Sequence, residues 1–225
     1  MVVNRKKKIL TIVIIGAVCI FTSACSKIGN IGQFSKENGE SNERPQRLQE
    51  DKLHSLGEAA LLADPTKQNP QLKGAEYTVH TAALYENPEA AGIDTSQVLT
   101  GGDTHYDLET GEPTEPDVSK ADFFLCDVTI KNIRLEYMNI TDLSFVCALE
   151  GSEELKMVGY PAYFSKPEEV EDSTDYYNFN LPADQSIDAK VGWWVDLEEC
   201  RKESLYLMFN YGGDKEYQEY WELDL

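Results

Sequence analysis

Apolar and polar residues alternate along short segments between about residue 75 and the C-terminus. In the segment 121–132, Phe124 and Cys126 share one face, while Asp127 and Thr129 share the other. A period of two indicates strands with one buried and one wet face, as in antiparallel sheets. The predicted strands are 76–86, 121–132, 140–151, 156–165, 175–182, 186–197, 204–212 and 219–225.

Seven or eight such strands follow one another without a long helical segment between them. This order favours two packed sheets, and the segment is long enough for one domain with its own core. We therefore predict an all-β domain, an antiparallel two-sheet sandwich, over residues 75–225.

Residues 25–74 lack this alternation and are rich in serine, asparagine, glycine and charged residues. Such a segment buries too little apolar surface to offset the entropy lost on ordering. Within it, leucines and alanines recur at roughly helical spacing over 44–63, and Asp64-Pro65 would end a helix. We predict a mostly disordered tether, with either a short helix at 44–63 lying on the domain or an unfolded spacer.

Residues 1–24 have the parts of a secretory signal peptide: a basic start, an apolar run over 9–21 and small residues after it. The run is shorter than the ~20 residues of a membrane-spanning helix. The string FTSACS, which ends in Cys25-Ser26, resembles the lipobox of bacterial lipoproteins, although Thr22 stands where that family usually has leucine. The resemblance implies cleavage before Cys25 and a diacylglyceryl group on its thiol. The alternatives are a simple secreted protein and an uncleaved anchor.

Acidic residues dominate the chain, whose formal net charge is −20. Residues 1–24 contain four basic and no acidic residues, so their removal would leave −24. Such a surface repels nucleic acid, and we predict no nucleic-acid partner. The acidity keeps a surface protein soluble in one interpretation; in the other, it attracts cations or a basic partner.

Several strings resemble the immunoglobulin-like domain of unknown function found on many Gram-positive surface lipoproteins. The strings are FFLCDVTIKN, QSIDAKVGWWVDLEE, LYLMFNY and YWELDL, with Val128, Ile130, Asn132, Gly192, Trp193 and Trp221 at the motif positions. The resemblance spans about residues 75–225. It implies an exported immunoglobulin-like sandwich tethered to the outer face of the cytoplasmic membrane, and it supplies no activity or catalytic residue.

A long connection, 87–120, joins two predicted strands and contains many acids. Connections of this length usually either carry function or are disordered. One interpretation is a solvated surface loop that includes a small hairpin over 97–110 and that folding does not require. The other is an acidic binding loop. Its candidate residues are Asp103, Asp107, Glu109 and Glu112, whose spacing does not match an EF-hand, and we predict no metal site.

Aromatic residues supply candidate ligand contacts. Trp193 and Trp194 are adjacent and must point to opposite faces of a strand. Trp193 shares a face with apolar neighbours and is predicted to lie in the core. Trp194, Tyr176 and Tyr177 are candidates for contacts with a ligand, the alternative for Trp194 being cover by a loop.

Residues typical of catalysis are scarce. The three histidines His54, His80 and His105 lack the spacing of a zinc site, and no hydrolase, P-loop or metalloprotease motif is present. We predict a protein that is not an enzyme and uses no cofactor. Cys126 and Cys147 are expected to be buried thiols, the alternatives being a bond between them or a pair that involves Cys200. Cys200 itself lies in a charged segment and is expected to be exposed.

These observations predict a membrane-anchored extracytoplasmic lipoprotein whose sandwich binds an envelope protein or glycan. The alternative is an accessory subunit of a membrane transporter or sensor complex, or a small envelope hydrolase.

We expect the substitution Cys25→Ser to release the protein from membranes or to leave it unprocessed, because two acyl chains make anchoring stable. Cys19→Ser is the control and should leave the protein membrane-bound. Mass spectrometry of the mature N-terminus checks this directly. An intact Met1 without diacylglycerol on Cys25 would show that the lipobox interpretation is wrong.

Overall fold

The computed structural model describes residues 45–165, 177–198 and 200–225. Twelve strands lie in these residues: β1 Leu53–His54, β2 Ala59–Ala63, β3 Lys73–Tyr85, β4 Asp122–Asn132, β5 Met138–Asn139, β6 Leu143–Leu149, β7 Leu155–Gly159, β8 Tyr163–Phe164, β9 Asn178–Phe179, β10 Ser186–Val195, β11 Cys200–Phe209 and β12 Glu219–Glu222. The helices are single 3-10 turns: Glu50–Lys52, Thr95–Gln97, Gly102–Thr104, Ile140–Asp142 and Lys215–Tyr217. None of the helices in this part of the chain could cross a membrane.

The strands form two five-stranded sheets and one short pair. The first sheet has the order β2-β3-β4-β10-β8, the second has the order β1-β12-β11-β6-β7, and β5 pairs with β9. The described pairs are antiparallel except β1 with β12, which is parallel. The order β3-β4-β10-β8 corresponds to strands A-B-E-D of an immunoglobulin domain, and β12-β11-β6-β7 corresponds to G-F-C-C′. The predicted immunoglobulin-like antiparallel sandwich is confirmed.

The core lies between the two sheets and is rich in aromatic side chains. The ring of Phe124 on β4 is 5.0 Å from that of Phe145 on β6 and 5.5 Å from that of Trp193 on β10. Trp221 on β12 is fully buried in the same cluster. The alternation in the sequence therefore assigned these faces correctly, and the predicted core position of Trp193 is confirmed.

The predicted tether and its helix over 44–63 need correction. Residues 53–63 contain strands β1 and β2, and the only helix among residues 45–63 is the single 3-10 turn at 50–52. In β2, Ala60 and Leu62 are buried while Leu61 is exposed, which is strand alternation. Leucines and alanines in so short a segment fit both periods, so the pattern alone did not decide between helix and strand.

Residues 45–54 close the outer face of the second sheet. Leu48 and Leu53 pack against the cluster that contains Met208 and Tyr220. Polar contacts add to this packing: Lys52 Nζ donates to the carbonyl oxygens of Glu216 and Gln218, each at 2.9 Å, and His54 Nε2 lies 3.0 Å from Glu219 Oε2. This segment belongs to the domain and not to a spacer.

The long connection 87–120 is also part of the fold, contrary to the expectation that folding does not require it. Ile93 and Val98 pack on the outer face of the first sheet, against Phe123 and Trp194. The indole N–H of Trp194 donates to the carbonyl oxygen of Leu99 at 2.8 Å. Because these side chains bury apolar surface, removing the connection would expose it to water.

The same connection covers the edge of the second sheet. The N–H of Tyr106 donates to the carbonyl oxygen of Val158 on edge strand β7 at 2.8 Å. A small hairpin is present, but it closes through a bridge between Tyr106 and Pro113 and not over 97–110. Covering an edge strand in this way removes a template for unwanted strand pairing.

No disulfide joins Cys126, Cys147 and Cys200, the three cysteines of the described residues. Cys126 and Cys147 are buried thiols, as expected. The expectation that Cys200 is exposed is wrong, because it is only 7% exposed at the start of β11, opposite Leu149. The charged residues on either side of Cys200 led to this wrong prediction. Alternate residues of a strand point to opposite faces, so exposed neighbours do not make Cys200 exposed.

Gly159 provides a test of the contact between the connection and β7. A Cβ atom at Gly159 would lie 2.3 Å from the carbonyl oxygen of Thr104, whereas one at Gly101 would meet nothing within 4 Å. Gly159→Ala should lower the free energy of unfolding by about 2 kcal/mol, and Gly101→Ala by no more than about 0.5 kcal/mol. Urea unfolding measures both. Equal midpoints for the two variants would contradict the packing described here.

Candidate functional site

The outer face of the first sheet is divided into a covered half and an open half. The covered half is apolar and lies against residues 87–120. The open half presents polar side chains in two rows, because residues paired across antiparallel strands point to the same face. The rows consist of Thr78, Thr129 and Asp188, and of Thr81, Asp127 and Lys190.

A β-bulge adds His80 to this open face. The pairing of β3 with β4 shifts between Val79 and Thr81, so His80 is the extra residue. Its Nε2 lies 2.7 Å from Oγ1 of Thr129, which donates to Oδ1 of Asp188 at 2.6 Å. A threonine hydroxyl has one proton, so His80 must donate through Nε2. In that tautomer Nε2 cannot take the proton of Thr129, as activation of a nucleophile would require.

A shallow groove of about 760 Å³ crosses the open face. Along it, Thr81 Oγ1 donates to Asp127 Oδ2 at 2.6 Å, and the backbone N–H of Lys190 donates to Ser165 Oγ at 2.7 Å. These polar groups are paired with one another. A ligand in the groove would have to compete with these hydrogen bonds.

A second candidate site lies where the long connection meets one end of the second sheet. Four half-buried tyrosines come together there, each at or just beyond the end of a strand or turn. We call them the tyrosine cluster: Tyr106, Tyr160, Tyr177 and Tyr211.

Backbone hydrogen bonds fix the segments that carry the cluster. The N–H of Tyr160 donates to the carbonyl oxygen of Asp103 at 3.1 Å, and the N–H of Ile140 donates to that of Tyr177 at 3.0 Å. The N–H of Asn210, next to Tyr211, donates to the carbonyl oxygen of Asp142 at 2.8 Å. With the bond from Tyr106 to β7, these contacts hold residues far apart in sequence at one place.

The hydroxyl groups of Tyr106 and Tyr160 lie in an acidic environment. The rings of Tyr106 and Tyr160 have centroids 6.0 Å apart and are nearly perpendicular, at 80°. Burial raises the pKa of Tyr160 to about 12, and the charges of Asp103 and Asp142 raise it further. Burial is also the largest cause that raises the pKa of Tyr106, and the neighbouring Tyr160 and Asp103 raise it further. Both phenols therefore stay protonated at neutral pH.

Asp142 is the unusual acid of this site. It precedes β6, and its side chain keeps partial contact with solvent. Burial raises the pKa of its carboxyl group from 3.8 to about 7. No hydrogen bond to this carboxylate comes from residues 45–165, 177–198 or 200–225. Perturbed carboxylates of this kind concentrate at functional sites, although structural acids show such shifts too.

Comparison with known protein families matches residues 68–225 to a domain of unknown function (DUF5027). This match covers well over half of the chain. The chain belongs to the DUF5027 family. The predicted relation to a domain of unknown function is thus confirmed for the sandwich, whereas Cys25 lies outside the matched residues.

Two crystal structures resemble the DUF5027 domain in fold. The yjhA protein from Bacillus subtilis is 12% identical, with 76% of this chain and 99% of that chain covered and a TM-score of 0.40. An uncharacterized beta-sandwich protein from Clostridium difficile 630 is 13% identical, with 79% and 97% covered and a TM-score of 0.39. Likenesses this distant carry no argument about function. No curated protein matches the sequence.

The DUF5027 domain brings together only some of the predicted ligand contacts. Tyr177 belongs to the tyrosine cluster. Trp194 is 3% exposed beneath the long connection, so the alternative of cover by a loop is correct and a ligand cannot reach its ring. Tyr176 and Cys25 lie outside the described residues.

The four acids of the predicted binding loop do not converge. Asp103 is exposed at the edge of the tyrosine cluster. Asp107 instead closes a turn, accepting from the N–H of Thr110 at 2.6 Å and from its Oγ1 at 2.7 Å. Glu109 and Glu112 point to solvent. No group of three acids, histidines or cysteines among the described residues could hold a metal ion.

Sequence reasoning missed Tyr106, Tyr160, Tyr211 and Asp142. The one local signal was an acid at the start of an otherwise apolar strand, in ITDLSFVCAL. The tyrosines gave no signal, since they lie in separate connections and share no periodicity.

Asp142 makes the stability of the DUF5027 domain depend on pH. Between about pH 4 and pH 7 the folded state holds a proton that the unfolded state has released, so the free energy of unfolding falls as pH rises. Asp142→Asn should remove about 2 kcal/mol of this fall between pH 5 and pH 8. Urea unfolding at both pH values measures it.

Glu109→Gln is the matched control, because it removes one exposed negative charge elsewhere in the domain. It should keep the pH dependence of the parent chain. If Asp142→Asn also kept it, the carboxyl group of Asp142 would not be the buried acid described above.

Proposed function

We propose that this protein is a non-enzymatic binding module, held by a lipid on Cys25 at the outer face of the cytoplasmic membrane, that takes an envelope protein or glycan at the tyrosine cluster. The observation that carries the proposal is the convergence of four half-buried tyrosines, of which Tyr160 lies close to the acids Asp103 and Asp142. The lipobox at the start of the sequence supports the location.

The chemistry of tyrosine supports binding. A tyrosine ring offers a large contact area with few rotatable bonds, and its hydroxyl group adds a hydrogen bond at low entropic cost. Residues on connections that a rigid sandwich positions are frequent sites of recognition. The cluster has both properties, since its members lie on or beside connections that backbone hydrogen bonds fix.

The other large surfaces of the two sheets are less suited to a ligand. Residues 45–54 cover much of the outer face of the second sheet, and residues 87–120 cover half of that of the first. The open half of the first sheet has polar groups that already pair with one another. The tyrosine cluster is therefore the better candidate.

Affinity capture from a membrane-envelope extract tests the proposal. The full chain is immobilised alongside a variant with Tyr106→Ala and Tyr160→Ala. Tyr137→Ala is the matched control, since Tyr137 is a tyrosine whose side chain is 71% exposed. We expect the parent chain and the control to retain the same component and the double variant to lose it, while thermal unfolding shows that all three are folded.

Retention of the same component by the double variant would contradict a binding role for the cluster. A captured transporter or sensor subunit that depends on Tyr106 and Tyr160 would favour an accessory role in such a complex, which uses the same site.

A further inference from the structure

We propose that two copies of this chain pair through the free edge of strand β2, which joins their first sheets into one continuous sheet across a two-fold axis. The surface involved is different from the tyrosine cluster, so the inference does not depend on what the cluster binds. It rests on how the edges of the two sheets are protected and on the sequence of β2.

Most of the sheet edges are protected against pairing with another chain. Of the four edge strands, β1 and β8 have two residues each, and β7 is covered by the long connection. The part of β10 that extends past β8 carries the exposed charged side chains of Asp188 and Lys190. Short strands, cover and charged residues are the usual devices that prevent edge strands from pairing.

Strand β2 has none of these devices. Its five residues, Ala59–Ala63, are alanine and leucine only. Apart from its pairing with β3, it makes no backbone hydrogen bond to the described residues. Tyr217, in a turn close to β2, donates at 2.8 Å to the carbonyl oxygen of Lys67, which lies beyond the end of the strand. The outer N–H and C=O groups of β2 therefore remain open to another strand.

The length and sequence of β2 suit a second copy of the same strand. A two-fold axis perpendicular to the sheet makes the paired strands antiparallel. Only pairing about Leu61, the middle residue, matches all five residues of both strands, and it sets Leu61 opposite its counterpart. Leu61 is 47% exposed, whereas Ala60 and Leu62 beside it are fully buried. The pairing would therefore bury the large apolar side chain that β2 leaves in water.

Charge favours β2 over other surfaces as the place where two copies meet. The chain has a net charge of −20, so its copies repel one another. β2 has no charged residue, and the acids that flank it are held by their own chain. Glu58 Oε2 accepts from the N–H of Ser55 at 2.8 Å, and Asp64 Oδ1 accepts from Oγ1 of Thr66 at 2.6 Å. Two acidic copies can thus pair along β2 without charged side chains within the paired strands.

The path of the chain is compatible with two copies on one membrane. Rotation about an axis perpendicular to the first sheet leaves the second sheets of both copies on the same side. Residues 45–54 cross the outer face of the second sheet, so both chains would arrive from that side, as the proposed lipid anchors require. A pair of five-residue strands is small beside the roughly 1,200–2,000 Å² that stable interfaces bury. We therefore expect a weak dimer that anchoring side by side strengthens.

Disulfide cross-linking of the full chain, in membranes of the cells that produce it, tests the pairing. In Leu61→Cys the two thiols would lie opposite each other, within the Cα separation of about 7 Å that a disulfide needs. In Ala59→Cys, at another exposed position of β2, they would be four residues apart along the strands, or about 13 Å. Oxidation with copper phenanthroline should give at least about tenfold more dimer from Leu61→Cys than from Ala59→Cys.

The parent chain measures the background, which should be low because the cysteines of the described residues are buried. Equal dimer yields from the two variants would show random collision and overturn the inference, as would no dimer from Leu61→Cys. A cross-link from Leu61→Cys to a different protein would show that the occupant of the edge is not a second copy, and would overturn it as well.

An added charge tests whether the edge of β2 carries the pairing. In the Leu61→Cys background, Ala59→Lys should lower the dimer yield at least about fivefold, because charged side chains on an edge strand oppose pairing. Val118→Lys adds the same charge at a residue that is 52% exposed in the long connection, and should leave the yield within about twofold. Equal yields from the two lysine variants would contradict pairing through β2. Thermal unfolding confirms that each variant is folded.

Discussion

The central constraint on this structure is that strands β4 and β10 are apolar on both faces at one end. Phe124 and Trp193 face the core between the sheets, while Phe123 and Trp194 face outward. A sheet with water on its outer face could not accommodate that second pair. Residues 87–120 resolve the constraint by packing over it, and this packing determines where the rest of the connection runs.

The tyrosine cluster follows from that path. After covering Trp194, the connection continues along edge strand β7, where its backbone pairs with Val158 and Tyr160. Asp103 and Tyr106 thereby come to lie at the end of the second sheet, beside Tyr160. The segment that seals an apolar face therefore also completes the candidate site, so changes that loosen the seal would also disturb the site.

The two polar regions of the domain differ in how their charges are satisfied. On the open face of the first sheet, His80, Thr129 and Asp188 form a connected hydrogen-bond chain in contact with solvent. The carboxyl group of Asp142 is instead largely desolvated, and its ionisation opposes folding above neutral pH. Carboxyl groups with raised pKa values are frequent at functional sites, and this contrast is why we favour the cluster over the groove as the proposed site.

The sequence by itself determined the sandwich, because a period of two fixes which residues of β4, β6, β10 and β11 face the core. It did not identify β1, since two residues cannot show a period, and the leucines of β2 fit either a helix or a strand. The run FFLC at the start of β4 is buried on both faces, which the alternation did not indicate. Only the tertiary structure decided the site. Tyr106 and Tyr211 lie in connections more than a hundred residues apart. They meet because strand order and the cover over Trp194 bring the ends of separate strands together, and no local pattern encodes that convergence.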